Sequence, residues 1–157
     1  MKQMAKKVTA TFLAAIMMLA MGVTSFAAEN GNYTATATLY KDAACTELSM
    51  GNDAIVSTEI DIVDGMATIT LTTQDITVTR MGITATGKLS SLTLTAGEKS
   101  YVAKKDTLDD YKFKISGIPA NVITEGVVFS AHCEASVIII PINMDGYMKF
   151  TNIVDKI

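Results

Sequence analysis

Methionine is the residue type with the most potential chemistry in this 157-residue chain, which has ten methionines and a single histidine. Met50, Met81 and Met144 fall near the ends of predicted strands, and Met148 follows shortly after Met144. A thioether can ligate haem iron, and so can a tyrosine such as Tyr147. Methionine also fills irregular gaps in hydrophobic cores, and a strand tyrosine often packs its ring with the hydroxyl in water. Both interpretations stay open for all five residues.

Enzyme chemistry has little support in the sequence. His132 and Cys133 are neighbours in a predicted strand, so they point to opposite faces and cannot form a nucleophile–base pair. The chain contains no HExxH, GxSxG, CxxC or glycine-rich phosphate-binding motif. Carboxylates such as Asp109 and Asp110 fall in predicted loops, whereas glycoside hydrolysis needs two that converge in one cleft. The sequence therefore favours a protein that is not an enzyme.

Residues 1–27 have the order of a cleavable secretory signal peptide. Lysines precede an apolar run at 8–21, and the small residues Ser25 and Ala27 then mark a cleavage site after Ala27. The apolar run has about 14 residues, fewer than the roughly 20 that a membrane-spanning helix needs. We expect a helical signal peptide and a secreted or cell-surface domain, residues 28–157, without an integral membrane segment.

Charge and cysteine content bear on the partners and the environment of this domain. The full chain has 13 basic and 16 acidic residues, and three of the lysines lie in the predicted signal peptide. An acidic chain of this kind argues against nucleic acid or an anionic membrane as the main partner. Outside the cytoplasm, Cys45 and Cys133 could form one disulfide that closes a long loop, or both could stay reduced in an anaerobic habitat.

Alternating residue types predict an all-β domain. Threonine and apolar residues alternate at period two in 33–39 and 66–73, as in half-buried strands. Asp64-Gly65 precedes the second run and predicts a type I′ hairpin turn, because both central positions of that turn need φ > 0. Further strands are predicted at 55–63, 76–85, 88–95, 111–116, 126–135, 137–142 and 147–153, with a loop and a short helical turn in 42–53. About eight strands in one domain indicate an immunoglobulin-like antiparallel β-sandwich.

Several motifs occur in an order that is typical of one family. Gly-Asn-Tyr-Thr at 31–34 opens the first strand, Ser-Met-Gly-Asn follows at 49–52, and Val-Asp-Gly-Met-Ala-Thr begins at 63. A proline-containing loop after 111–116 then precedes the predicted C-terminal strands. This order resembles NEAT (near-iron transporter) domains, which are haem-binding β-sandwiches of Gram-positive cell surfaces. The resemblance spans nearly the whole mature chain and is best over 49–71.

The resemblance to NEAT domains implies roles for individual residues. Ser49 would contact a haem propionate, and Met50 would pack on the ring. The family's iron ligand is the first tyrosine of a Tyr-x-x-x-Tyr pair, and Tyr147 is the candidate, but Asn143 and Thr151 occupy the positions four residues away on either side. The related Shp-like streptococcal haem proteins use two methionines as ligands. That resemblance would pair Met81 with Met144 or Met148.

Two functions are therefore compatible with the sequence. The first is a secreted or cell-surface module that captures or relays haem for iron uptake, with haem or haem-carrying surface proteins as partners. The second is a non-catalytic immunoglobulin-like adhesion module that recognises protein or glycan. The methionines and the Ser49-Met50 motif favour the first, and the missing tyrosine pair favours the second.

Overall fold

The computed structural model describes residues 29–137 and 140–157, and most of this range is β-structure. The predicted signal peptide, residues 1–27, and two positions of the predicted strand 137–142 lie outside the described residues. A 3₁₀ helix, Met50–Ala54, and a short α-helix, α1 (Ala120–Thr124), complete the described elements. The strands are β1 (Gly31–Tyr40), β2 (Ile55–Val63), β3 (Met66–Thr73), β4 (Ile76–Arg80), β5 (Ile83–Ala96), β6 (Lys99–Val102), β7 (Lys104–Lys105), β8 (Lys112–Pro119), β9 (Phe129–Val137) and β10 (Ile140–Asp155).

The strands form one antiparallel ladder in the order β4-β5-β9-β10-β1-β2-β3-β8-β7, with β6 paired to β5. Strand β1 joins two halves of this ladder: β4, β5, β6, β9 and β10 on one side, and β2, β3, β8 and β7 on the other. Strand β2 pairs with β1 only from Gly31 to Ala35, whereas β10 continues along β1 to Tyr40. The register between β1 and β10 shifts between Thr34 and Thr36, where the sheet changes direction. The two halves face each other as the layers of an immunoglobulin-like β-sandwich, which confirms the predicted fold class.

The hydrophobic core lies between these two layers. Alternate side chains of β2, β3 and β8 meet alternate side chains of β5, β9 and β10, as period-two burial requires. The rings of Phe129 and Phe150 pack edge to face with centroids 5.7 Å apart. The largest fully buried side chains come from both layers and include Ile60, Ile69, Leu92, Leu94, Phe113 and Ile115. Within the described residues, no helix is long and apolar enough to cross a membrane.

The structure contains one turn that the sequence predicts and one that it does not. Asp64 and Gly65 have φ angles of 50° and 76°, so the predicted hairpin between β2 and β3 is confirmed. The run 76–85, predicted as one strand, is instead the hairpin of β4 and β5, which turns at Met81 and Gly82 with φ angles of 54° and 78°. Met81 does not indicate a turn by its residue type, because methionine rarely takes a positive φ.

Asp145-Gly146 falls between the predicted strands 137–142 and 147–153 but lies inside β10, which continues from Ile140 to Asp155. A Cβ at Gly146 would lie 2.7 Å from the backbone oxygen of Tyr40. Glycine therefore permits the close approach of β1 and β10 at this point rather than a reversal of the chain. The predicted strand 147–153 is part of this strand, whereas the predicted strand 137–142 begins at the last residue of β9, Val137, and continues in β10 from Ile140.

Two buried threonines differ in whether the side-chain hydroxyl is hydrogen-bonded, and mutation can test the effect of this difference on stability. Thr73 Oγ1 donates a hydrogen bond to the Tyr111 carbonyl at 3.0 Å, whereas buried Thr58 Oγ1 has no hydrogen-bond partner in the described part of the chain. We expect Thr58→Val to raise the free energy of unfolding by about 1 kcal/mol and Thr73→Val to lower it by about 1 kcal/mol. Urea denaturation of both variants measures the difference. A loss of stability in Thr58→Val would show that its hydroxyl is satisfied.

Candidate functional site

An apolar groove with a volume of about 510 Å³ opens between the 3₁₀ helix and the strands β4, β5, β9 and β10. This volume lies within the range of small-molecule binding sites. Among the side chains that the structure describes, no charged one lines this groove. The lining residues are all apolar: Met50, Gly51, Ile76, Val78, Ile83, Ala85, Gly87, Ala135, Val137, Ile142 and Met144.

Period-two alternation in the β4–β5 hairpin produces the apolar wall of this groove. Isoleucine, valine and alanine side chains of 76–78 and 83–85 face the groove, and the intervening threonines face outward. These threonines pair by hydroxyl–hydroxyl hydrogen bonds, Thr77 with Thr86 at 3.3 Å and Thr79 with Thr84 at 2.9 Å. The hairpin therefore presents a hydrophobic face to the groove and a polar face to solvent.

Residues 49–54, here called the lip, cover one side of the groove. Strand β2 leaves β1 after Ala35, and the lip occupies the edge of β1 beyond that point. The Leu39 N–H donates to Asn52 Oδ1 at 3.0 Å, and the Ser49 N–H donates to the Leu39 carbonyl at 2.9 Å. Both backbone groups of Leu39 therefore fasten the lip to the sheet.

The C-terminal end of the lip is fastened as well. Gln74 donates its backbone N–H to the Ala54 carbonyl at 2.8 Å and its side-chain Nε2 to the Asp53 carbonyl at 2.9 Å. Between the two attachments, Gly51 is buried so tightly that a Cβ there would lie 3.0 Å from Leu39 Cδ2. The lip is therefore held at both ends and packed in its middle.

The structure brings some predicted site residues together at this groove. Met50 of the lip, with 58% of its surface exposed, and Met144 of β10, which is half-buried, both line it. Ser49 precedes Met50 and caps the 3₁₀ helix, where its Oγ accepts the Gly51 N–H at 3.3 Å. The Met144 methyl group lies 3.8 Å from the position of a Cβ on Gly51, so this strand methionine approaches the lip.

Other predicted site residues lie elsewhere. Met81 is 98% exposed in the β4–β5 turn, and Met148 is 2% exposed in the core, beside a cavity of about 30 Å³ beneath the groove. Tyr147 alternates with Met148 along β10, so its side chain lies on the face of the sheet opposite the groove. No tyrosine is among the groove-lining residues.

The outer face of β9 and β10 carries the histidine. His132 Nδ1 lies 2.6 Å from Asp145 Oδ1, and the two residues are cross-strand partners. Neighbouring Cys133 is buried on the other face, as predicted. In the described part of the chain, no three His, Cys, Asp or Glu side chains form a group that could hold a metal ion. Among the described residues that line the groove, Met50 and Met144 carry thioether groups.

The cysteines are both free thiols in this structure. Cys45 is half-buried in the loop after β1, whereas Cys133 is buried in β9 with Leu92 and Met144 as its cross-strand partners. Burial, with a smaller contribution from the negative charge of Asp145, raises the pKa of the Cys133 thiol to about 11. Of the two alternatives that the sequence leaves open, this structure has the one in which both cysteines are reduced.

Sequence reasoning missed most of the groove wall. Ile76, Val78 and Ile83 were placed in one predicted strand, and only the turn at Met81 and Gly82 folds them against the lip. Gly82 is the residue in the sequence that could have indicated this turn, because glycine readily adopts the positive φ that it has there.

Comparisons with known proteins agree with this architecture. The NEAT5 domain of IsdX2, a B. anthracis hemophore in complex with heme, has a TM-score of 0.53 and 14% identity, and the match covers 78% of this chain and 96% of that chain. A point mutant of the same domain, also in complex with heme, has a TM-score of 0.53 and 15% identity, with coverage of 78% and 95%. No family model and no curated protein matches the sequence. The chain thus has the fold of a NEAT domain, which confirms the resemblance at the level of the fold.

The thiol environments predict selective labelling. At pH 8, Ellman's reagent should modify Cys45 in the native protein and leave Cys133 unmodified until denaturant is added, because the thiolate is the reactive form and Cys133 is buried with a pKa of about 11. A Cys45→Ser variant should show no native reaction. Absence of reaction in the denatured but unreduced wild type would reveal a disulfide and contradict the structure.

Proposed function

We propose that this protein is a secreted or cell-surface module that binds haem and captures or relays it for iron uptake. The carrying observation is the groove of about 510 Å³, whose described lining is apolar and includes one methionine from the lip and one from β10. The solved domains with this fold are in complex with heme. Haem, or a surface protein that carries haem, is the proposed partner.

The chemistry of the groove suits a porphyrin. Its aliphatic walls from the β4–β5 hairpin and from β9 and β10 would contact the ring and exclude water from it. The Ser49 hydroxyl accepts one hydrogen bond within the lip, so its own proton stays free to donate to a propionate. A bound haem would supply the iron, and the protein would supply the apolar enclosure and the ligands.

Met50 and Met144 are the proposed iron ligands. Of the lining residues that the structure describes, these two are of a metal-ligating type, and they belong to different elements, the lip and β10. Tyr147, the counterpart of the family's ligand by sequence position, faces away from the groove. Thioether ligation raises the reduction potential of haem iron, so this site would favour ferrous haem.

The alternative functions have less support in the geometry. A glycan site needs polar groups that bond sugar hydroxyls, and the groove has almost none. An enzyme needs titratable groups at its site, and none of the described side chains that line this groove is titratable. A module without catalytic activity agrees best with such a lining.

Filling the groove should abolish haem binding. Ala85 lies on the groove face of β5, and an indole in its place would occupy the volume that a porphyrin needs. We expect Ala85→Trp to weaken haem affinity at least tenfold in a titration followed by the Soret band. Thr84→Trp, on the outer face of the same strand, is the matched control and should bind like the wild type. Equal affinities for both variants would exclude this groove as the site.

The ligand assignment has its own test. Leucine has nearly the volume of methionine, so Met50→Leu and Met144→Leu should keep the fold. We expect each variant to shift the Soret band of ferrous haem, because one thioether ligand is lost. Met81→Leu, in the exposed turn, should leave the spectrum unchanged. A shift in Tyr147→Phe instead would refute thioether ligation while leaving haem binding intact.

A further inference from the structure

A second cleft lies at the other end of the strand order, where β6 ends and β7 pairs with β8. It has a volume of about 430 Å³ and shares no lining residue with the apolar groove. Three lysines line it, although the chain as a whole has more acidic than basic residues. The lining residues are Val102, Lys104, Lys105, Asp106, Lys114 and Ser116.

Two of these lysines oppose each other. Lys104 of β7 lies directly across from Lys114 of β8 in the antiparallel register. Like charges in directly opposed positions destabilise a strand pair. Within residues 29–137 and 140–157, the ion pairs of this region join Lys105 to Asp110 and Lys112 to Asp109, and neither Lys104 nor Lys114 forms one. A bound anion would relieve the repulsion between them.

The polar groups of the cleft also suit an anion. Asp106, its one carboxylate, accepts the Leu108 N–H at 2.8 Å. This hydrogen bond, with smaller contributions from the charges of Lys114 and Lys112, lowers the pKa of Asp106, so the carboxylate stays negative. The three lysines outnumber this single carboxylate, and the described lining of the cleft therefore keeps a net positive charge. Ser116 Oγ accepts from Thr68 Oγ1 at 3.4 Å, which leaves the Ser116 proton free to donate. Ammonium groups beside a hydroxyl donor are a common arrangement for phosphate binding.

Protection of the sheet edge explains only part of this arrangement. Lysines on an edge strand discourage pairing with another chain, and this accounts for Lys104 and Lys105 on β7. Strand β8 is paired on both sides, by β3 and by β7, so Lys114 has no edge to protect. The concave surface beside it is not needed for edge protection either.

We propose that this cleft binds a phosphate group, carried by a small phosphorylated molecule or by a phosphodiester polymer. Lys104 and Lys114 hold the anion between them, and Ser116 donates a hydrogen bond to it. This site is separate from the groove and goes beyond the proposed haem function, so either site can fail without the other.

Calorimetric titration at low, constant ionic strength tests this site. The probes are inorganic phosphate, glycerol 3-phosphate and poly(glycerol phosphate). We expect binding to the wild type and at least tenfold weaker binding to a Lys104→Gln/Lys114→Gln variant. The control variant Lys41→Gln/Lys156→Gln loses the same charge from lysines that are paired with Glu47 and Glu59, and it should bind like the wild type.

The outcomes separate the possible sources of phosphate. Saturable binding of glycerol 3-phosphate identifies a small-molecule site, and binding of the polymer alone identifies a phosphodiester site. Equal weakening in both variants would show attraction by net charge only and overturn the proposal. Absence of binding by every probe would overturn it as well.

Thermal unfolding checks the electrostatic premise. In phosphate-free buffer at low salt, Lys104→Gln should unfold at a higher temperature than the wild type, because the opposed charges are gone. Added phosphate should raise the midpoint of the wild type and leave that of the variant nearly unchanged. A lower midpoint for Lys104→Gln in phosphate-free buffer would contradict the repulsion on which the site depends.

Discussion

The backbone of Leu39 is the attachment on which the candidate site depends. Because β2 leaves β1 at Ala35, the N–H and carbonyl of Leu39 bond to the lip instead of to a strand, through Asn52 and Ser49. A buried backbone N–H or carbonyl without a hydrogen-bond partner costs free energy of folding. The lip supplies these partners at the edge of β1, and the same hydrogen bonds fix the position of the lip. These bonds hold the lip, and with it Met50, beside the groove that Met144 also lines.

Period-two alternation then gives each face of the sheet its own character. The inner face of the β4–β5 hairpin and of β9 and β10 is apolar and lines the groove, and the same strands place the threonine pairs and the His132–Asp145 pair outside. The described titratable side chains of these strands therefore lie on the face away from the groove. This separation fits a site that encloses an apolar ligand.

Local sequence signals predicted those features that depend on local conformation. Asp64-Gly65 forms the predicted hairpin turn, whereas Asp145-Gly146, the same dipeptide, lies within β10 because the Tyr40 carbonyl packs against Gly146. Residues alone could not distinguish these two cases, since the difference lies in a strand that is distant in sequence. The alternation of threonine with apolar residues was sufficient for the all-β prediction.

The candidate site was predictable only in part, for a similar reason. Ser49 and Met50 could be selected from their motif, but the pairing of Met50 with Met144 depends on the strand register and on the attachment of the lip at Leu39. The turn at Met81 moves that methionine away from the groove and brings the β4–β5 wall into it. Side-chain direction in β10 likewise separates Tyr147 from Met144, which sequence position alone does not show.

The most direct test of the claim that haem binds in the groove is to find by NMR which backbone amides a bound porphyrin affects. Gallium protoporphyrin IX is diamagnetic, so its binding can be followed by amide chemical shifts in a ¹⁵N-labelled sample. The account predicts shifts concentrated in the lip and in the groove-facing parts of β4, β5, β9 and β10, with little change around Lys104 and Lys114. Shifts centred on β7 and β8, or no saturable shifts at all, would contradict it.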